Sequence, residues 1–92
     1  MTVLARLGLR RRTAPAVVTL VTRSGCHLCD VAEPVVRAAA AEADVAFELR
    51  DVDASAEDRA RWTDKVPVVL IDGHEHAYWT VDERALRRAL RR

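Results

Sequence analysis

Six consecutive residues, Val17 to Thr22, are β-branched or leucine and run directly into Arg23-Ser24-Gly25, after which the apolar residues change period. An apolar run without polar alternation reads as a strand buried on both faces. Beyond the turn, Val31, Ala32, Val35, Val36, Ala39, Ala40 and Ala43 recur at the spacing of a helix with one buried stripe. The chain is thereby committed to a β-α start. Pro34 falls inside that helical pattern, where it lacks a donor, and a kink is expected there.

The rest of the chain continues the alternation. In Val45 to Asp51, Val45, Phe47 and Leu49 alternate with Ala46, Glu48 and Arg50, the period of a strand with one wetter face. Ser55 and Asp58 stand in capping-box spacing ahead of a short helix that reaches Trp62. Val68 to Ile71 and His74 to Trp79 flank Asp72-Gly73, the pair preferred in a two-residue hairpin because both central positions need positive φ. Thr80 and Glu83 form a second box, and Ala85, Leu86, Ala89 and Leu90 give a one-faced helix toward the C-terminus. The order is β-α-β-α-β-β-α. A right-handed crossover makes the first two strands parallel, and the hairpin extends the same sheet on the other side. Phe47, Leu49, Leu86 and Leu90 are expected in the core.

At 92 residues the chain holds one domain, expected over residues 16–92 behind a loose basic arm over residues 1–15. Arg6 and Arg10 to Arg12 crowd that arm, and Arg84, Arg87, Arg88, Arg91 and Arg92 the C-terminal helix; both read as solvated surfaces. A net charge of +1 points to no nucleic acid and no membrane, and a monomer is expected. The first residues lack the long apolar stretch and cleavage site of a signal peptide, and Arg23 cuts short any twin-arginine export run. A cytoplasmic location is the expectation.

Both cysteines lie in Cys26-His27-Leu28-Cys29. In a reducing compartment such a pair is catalytic or metal-binding more often than structural. At a helix N-terminus the unsatisfied N–H groups and the positive end of the dipole favour an anion, so Cys26 is expected to hold a thiolate below the free value of about 8.5. Arg23 and His27 add positive charge beside it, and Asp30 opposes them. Cys29, further into the first turn and less exposed, is placed to resolve a mixed disulfide formed at Cys26. Pro67 opens a strand; if the Val66–Pro67 bond is cis, the backbone groups of Val66 stand beside the cysteines as a platform for an extended peptide. Two other readings remain open. Cys26 and Cys29 could join His27, His74 or His76 around zinc, or the pair could be incidental in a binding module that presents Trp62, Tyr78 and Trp79. Tyr78 and Trp79 are also candidates for lining a groove near Cys26.

Taken together, RSGCHLC and VPVVLIDG resemble the R/K-S/T-x-C-P-Y-C and T-V-P-x-x-F-I-N-G segments of glutaredoxins, and residues 16–92 are similar to the glutaredoxin and thioredoxin superfamily. The resemblance implies an α/β thioredoxin-like fold of the glutaredoxin type, a central mixed four-stranded sheet flanked by helices. It implies a thiol-disulfide oxidoreductase with Cys26 as nucleophile, Cys29 as resolving thiol, Pro67 as the cis-proline and Arg23 on the carboxylate of a glutathione-like thiol. Substrates would be disulfide-containing proteins or small thiols. No bound cofactor is implied; glutathione, another low-molecular-weight thiol or a reductase would supply electrons. Some glutaredoxins instead bridge a cluster between two chains through the first cysteine. The sequence also departs from the family: His27-Leu28 replaces Pro-Tyr, and Ala77, Tyr78, Trp79 and Thr80 stand where glutaredoxins carry Gly-Gly and a following acidic pair.

Overall fold

Strand β1 (Val17–Thr22) forms where the β-branched run predicts it, with Val18, Thr19, Leu20 and Val21 all buried. The structure, a computed structural model, describes residues 15–91. Residues 1–14 of the expected arm over residues 1–15, and the terminal Arg92, lie outside them. Burial on both faces follows from position. Strand order is β2-β1-β3-β4, which makes β1 an inner strand, paired in parallel with β2 (Ala46–Asp51) and antiparallel with β3 (Val68–Ile71).

Two layers of helix cover the sheet. Helix α1 (His27–Glu42) and helix α3 (Glu83–Leu90) lie on one face, where Val18, Leu20, Val36, Val69, Leu86 and Leu90 make one buried cluster. On the other face, Val21, Val52, Val68 and Leu70 close around Trp62 of helix α2 (Ala56–Trp62). Fully burying an aliphatic side chain contributes about 1.5–3 kcal/mol, so these two clusters carry the fold. Pro34 sits inside α1, which runs on to Glu42 as one helix.

Several local expectations are corrected. Leu49 is exposed and Phe47 only half-buried, because β2 is an edge strand with one paired neighbour. Val45 is buried but precedes the strand, its N–H donating to Ala40 O at 2.8 Å. The α1 stripe is Cys29, Ala32, Val36, Ala39 and Ala40; Val31 lies outside it, 54% exposed. At α2, Ser55 caps as expected, taking the Asp58 N–H at 3.1 Å, but the Asp58 carboxylate turns to Arg50 rather than back to the cap. The cap of α3 is Asp82, which accepts the Ala85 N–H at 3.1 Å, so the Thr80 box does not form. Strand β4 (His74–Tyr78) stops one residue early, because Trp79 turns left-handed at φ 67°.

The hairpin closes as expected, with Asp72 at φ 51° and Gly73 at φ 84°. Asp72 does more than turn the chain: its Oδ1 accepts the N–H groups of Ala16 and Val17, each at 2.9 Å, and ties down the start of β1. A register shift between Val69 and Leu70 leaves His76 as an extra residue in β4. In a regular strand, residues three apart face opposite sides. The extra residue brings Glu75 and Tyr78 to one side, where Glu75 accepts from Trp62 Nε1 at 2.7 Å and from the Tyr78 hydroxyl. Those two hydrogen bonds hold the Glu75 carboxyl below its usual range, that from Tyr78 being the larger influence, and Tyr78 is correspondingly raised.

Candidate active site

One end of the sheet collects Arg23, Cys26, His27, Cys29, Val66 and Pro67, whereas His74, a candidate zinc ligand, starts β4 at the opposite end. Val21 pairs with Val68, Val68 with Tyr78, and Thr22 with Asp51, so the segments that follow β1, β2 and β4 and the segment that precedes β3 all emerge together. Cys26 follows β1, Val66 and Pro67 precede β3, and Trp79 follows β4. The Val66–Pro67 peptide bond is cis. Among the described residues, neither the N–H nor the C=O of Val66 has a hydrogen-bond partner.

Cys26 is the N-cap of α1. Gly25 at φ 74° turns the backbone into it, a left-handed conformation that costs glycine nothing sterically. The Cys26 Sγ accepts the Cys29 N–H at 3.2 Å, the place usually taken by a serine or aspartate oxygen. Sulfur at this position sits against the unsatisfied N–H groups of the first turn. Cys26 and Cys29 are joined as a disulfide with their Cα atoms 5.2 Å apart. Cys26 is half-buried and Cys29 only 3% exposed, so an incoming group meets Cys26 first. His27 and Leu28 between them are exposed.

Arg23 is engaged by Asp53 and Thr63. Its Nε and Nη2 take both carboxylate oxygens of Asp53 at 3.0 and 3.1 Å, and its Nη groups also donate to Thr63 Oγ1 at 2.6 Å and Thr63 O at 3.2 Å. Asp53 is held below the ordinary carboxylate range by this fork. The side chain thus ties the turn after β1 to the 3₁₀ turn after β2 (Val52–Ala54) and to the end of α2. Neither partner was visible in the sequence, because both lie 30 or more positions away.

Trp79 was read as one of two candidates for lining a groove, and it does so. A shallow apolar groove runs from the first turn of α1 between that helix and the β4–α3 connection, lined by Leu28, Val31, Ala32, Val35, Trp79, Thr80 and Val81. The left-handed backbone of Trp79 is held by its N–H, shared between Pro67 O at 2.8 Å and Lys65 O at 3.2 Å, and by its Nε1, which donates to Asp64 O at 2.8 Å. A bulky residue at positive φ is a strained conformation that surrounding bonds must hold. Tyr78 packs against the neighbouring Trp79 ring at 5.9 Å. Trp62, the third aromatic of the binding-module reading, is 2% exposed and belongs to the core. Among the described residues, no three His, Cys, Asp or Glu side chains are grouped to hold a metal ion; His74 and His76 lie on β4. No described helix is long and apolar enough to cross a membrane.

A mixed four-stranded sheet, three helices and a Cys-x-x-Cys disulfide heading the helix after the first strand define an α/β protein of the thioredoxin-like class. Within that class the chain belongs to the family described as Glutaredoxin-like domain (DUF836), whose model matches residues 17–91. It is 44% identical over 78 residues to the uncharacterized protein Rv0508 of Mycobacterium tuberculosis, covering 76% of this chain and 77% of that one. Among solved structures, protein Ne2328 of Nitrosomonas europaea superposes with a TM-score of 0.73 at 20% identity, over 90% of this chain and all of that one, a likeness of fold. A thioredoxin from Halobacterium salinarum superposes at 0.60 with 30% identity, over 80% of this chain and 70% of that one. The target protein XcR50 from X. campestris gives 0.59 with 32% identity, over 77% and 91%. The family, the fold and the paired cysteines support a redox function.

Proposed function

We propose that this protein is a thiol-disulfide oxidoreductase that reduces disulfides of proteins or small thiols through Cys26 and Cys29. The observation that carries the reading is the Cys26 sulfur in the N-cap of α1, where it accepts the Cys29 N–H. In the reduced protein the Cys26 thiolate attacks one sulfur of a substrate disulfide. That S–S bond breaks, one substrate thiolate leaves, and a mixed disulfide remains. Cys29 then attacks the Cys26 sulfur, releasing the second substrate thiol. Two electrons and two protons pass to the substrate, and the Cys26–Cys29 disulfide is left behind. A low-molecular-weight thiol such as glutathione, or a reductase, restores the dithiol in a cytoplasmic setting.

In this scheme Val66 supplies the backbone N–H and C=O along which an extended substrate lies, with Pro67 fixing their position. His27 stands at the exposed rim beside the nucleophile. Arg23 acts as a positioning residue through Asp53 and Thr63. The test is trapping. Cys29→Ser incubated with a disulfide-bonded peptide accumulates a covalent protein–peptide adduct by mass spectrometry, Cys26→Ser accumulates none, and the adduct dissolves on adding dithiothreitol. Equal adduct yields from both variants would remove the assignment of the nucleophile, and absence of adducts from both would remove the activity.

A further inference from the structure

The groove starts at the first turn of α1, the turn that Cys26 caps, and it is apolar and uncharged. Leu28 lies between the two cysteines in the chain, and Trp79 at the far wall is bonded through its N–H to Pro67 O. Leu28, Val31 and Trp79 are 46%, 54% and 52% exposed, among the large apolar side chains that this small domain leaves in water. Scattered surface apolar residues need no explanation, but these three line one concavity.

The charges at this end of the sheet decide what the concavity takes. None of the residues lining it is ionisable. Three of the basic side chains at this end of the sheet are already engaged: Arg23 holds Asp53 and Thr63, Arg59 donates to Asp53 O at 2.8 Å, and the Lys65 ammonium lies 4.9 Å from the centre of the Tyr78 ring, while exposed His27 stands outside the groove lining. A small acidic thiol such as glutathione brings two carboxylates that would have to enter an apolar groove without a cation. An uncharged side chain next to a cysteine in a polypeptide brings no such cost, and its burial there is favourable.

We infer that the groove of Leu28, Val31 and Trp79 is a specificity pocket that selects protein disulfides whose cysteine is flanked by an apolar side chain, against glutathione-type disulfides. The pocket deepens the proposed function and rests on it. The substrate cysteine reacts at Cys26, the extended backbone lies along Val66, and the neighbouring apolar side chain covers Leu28, Val31 and the Trp79 ring. Trp79 acts here as a specificity-determining residue that its left-handed backbone and three hydrogen bonds hold in the wall. Electrons and protons balance as in the exchange above, with the pre-reduced dithiol as the donor.

The experiment uses the reduced protein, stoichiometrically, against three probes: a disulfide-linked dimer of a short peptide with leucine on both sides of its cysteine, the same peptide with aspartate there, and glutathione disulfide. Each rate of dithiol oxidation is divided by the rate of the same probe with dithiothreitol. The leucine peptide should react about three- to tenfold faster than the other two, the ratio that covering roughly half a leucine side chain supplies. Val31→Arg, at an exposed position that tolerates a charge, should slow the leucine peptide severalfold and speed glutathione disulfide. Leu49→Arg puts the same charge on edge strand β2 and should change none of the three rates. Equal normalised rates for the three probes, or a glutathione preference that Val31→Arg leaves untouched, would overturn the pocket while the oxidoreductase reading stands. Failure of all three probes to oxidise the dithiol would overturn both.

Discussion

Asp58→Asn removes one charge from a buried position and tests how α2 is held to the sheet. Asp58 is 4% exposed and accepts from Arg50 Nε at 2.9 Å and Nη2 at 3.1 Å, across from strand β2 to helix α2. The pairing raises Arg50 above its already high ordinary value, the hydrogen bond to Asp58 being the largest cause. A hydrogen bond to a charged group contributes about 1.5–3 kcal/mol when dry. The Arg50 side chain is 46% exposed, so water recovers part of what the substitution removes, and the asparagine oxygen keeps one acceptor. The expected loss is therefore about 1–2 kcal/mol, or roughly 5–15 °C in Tm for a domain of this size. Urea unfolding of the oxidised protein at pH 7 measures it. Arg50→Gln in a double-mutant cycle should return a coupling of about 1 kcal/mol. Because the pair touches neither cysteine, the rate of peptide-disulfide reduction should stay within twofold. An Asp58→Asn midpoint equal to the starting protein, or a coupling of zero, would refute the idea that this bidentate bridge anchors α2.

Other consequences can be checked on the same protein. Asp82→Ala should cost about 0.5–2 kcal/mol as a lost N-cap, while Thr80→Ala stays within about 0.5 kcal/mol; urea midpoints reversed between the two would put the cap at Thr80. Glu75 has a depressed native value, so its contribution to stability is complete above the ordinary glutamate value and fades as pH falls through the native one. Glu75→Gln should flatten the stability profile below the ordinary glutamate value of about 4.3, and an unchanged acid slope would count against the Trp62–Glu75–Tyr78 arrangement. Leu86→Ala, at a fully buried site between α3 and the sheet, should cost about 2–5 kcal/mol. In the reduced protein, ultraviolet absorbance should show Cys26 thiolate persisting at pH values below the free-cysteine midpoint of about 8.5, with Cys26→Ser as the blank; a midpoint at or above it would remove the helix-cap argument for activation.

The order β-α-β-α-β-β-α, the parallel first pair, the hairpin at Asp72-Gly73 and the placement of Cys26 at a helix start were all legible in the sequence. Each is a local property, a period of apolar residues, a turn that needs positive φ, or two cysteines on one helical turn, and physical chemistry over a few neighbouring residues determines it. Burial of β1, Leu86 and Leu90 followed from their pattern, but only the tertiary structure decided which apolar residues of the edge strand are inside. Leu49 has the alternation of a core residue, yet β2 stands at the edge of the sheet and leaves it exposed. The same holds for partners. Whether Arg23 faces a substrate or Asp53 and Thr63, whether Asp58 caps a helix or bridges to Arg50, and whether Trp79 continues a strand or turns left-handed against Pro67 depend on groups that sequence separation hides. Side-chain pairing and groove shape are set by which segments meet at the end of the sheet, and that meeting exists only once the strands have taken their order.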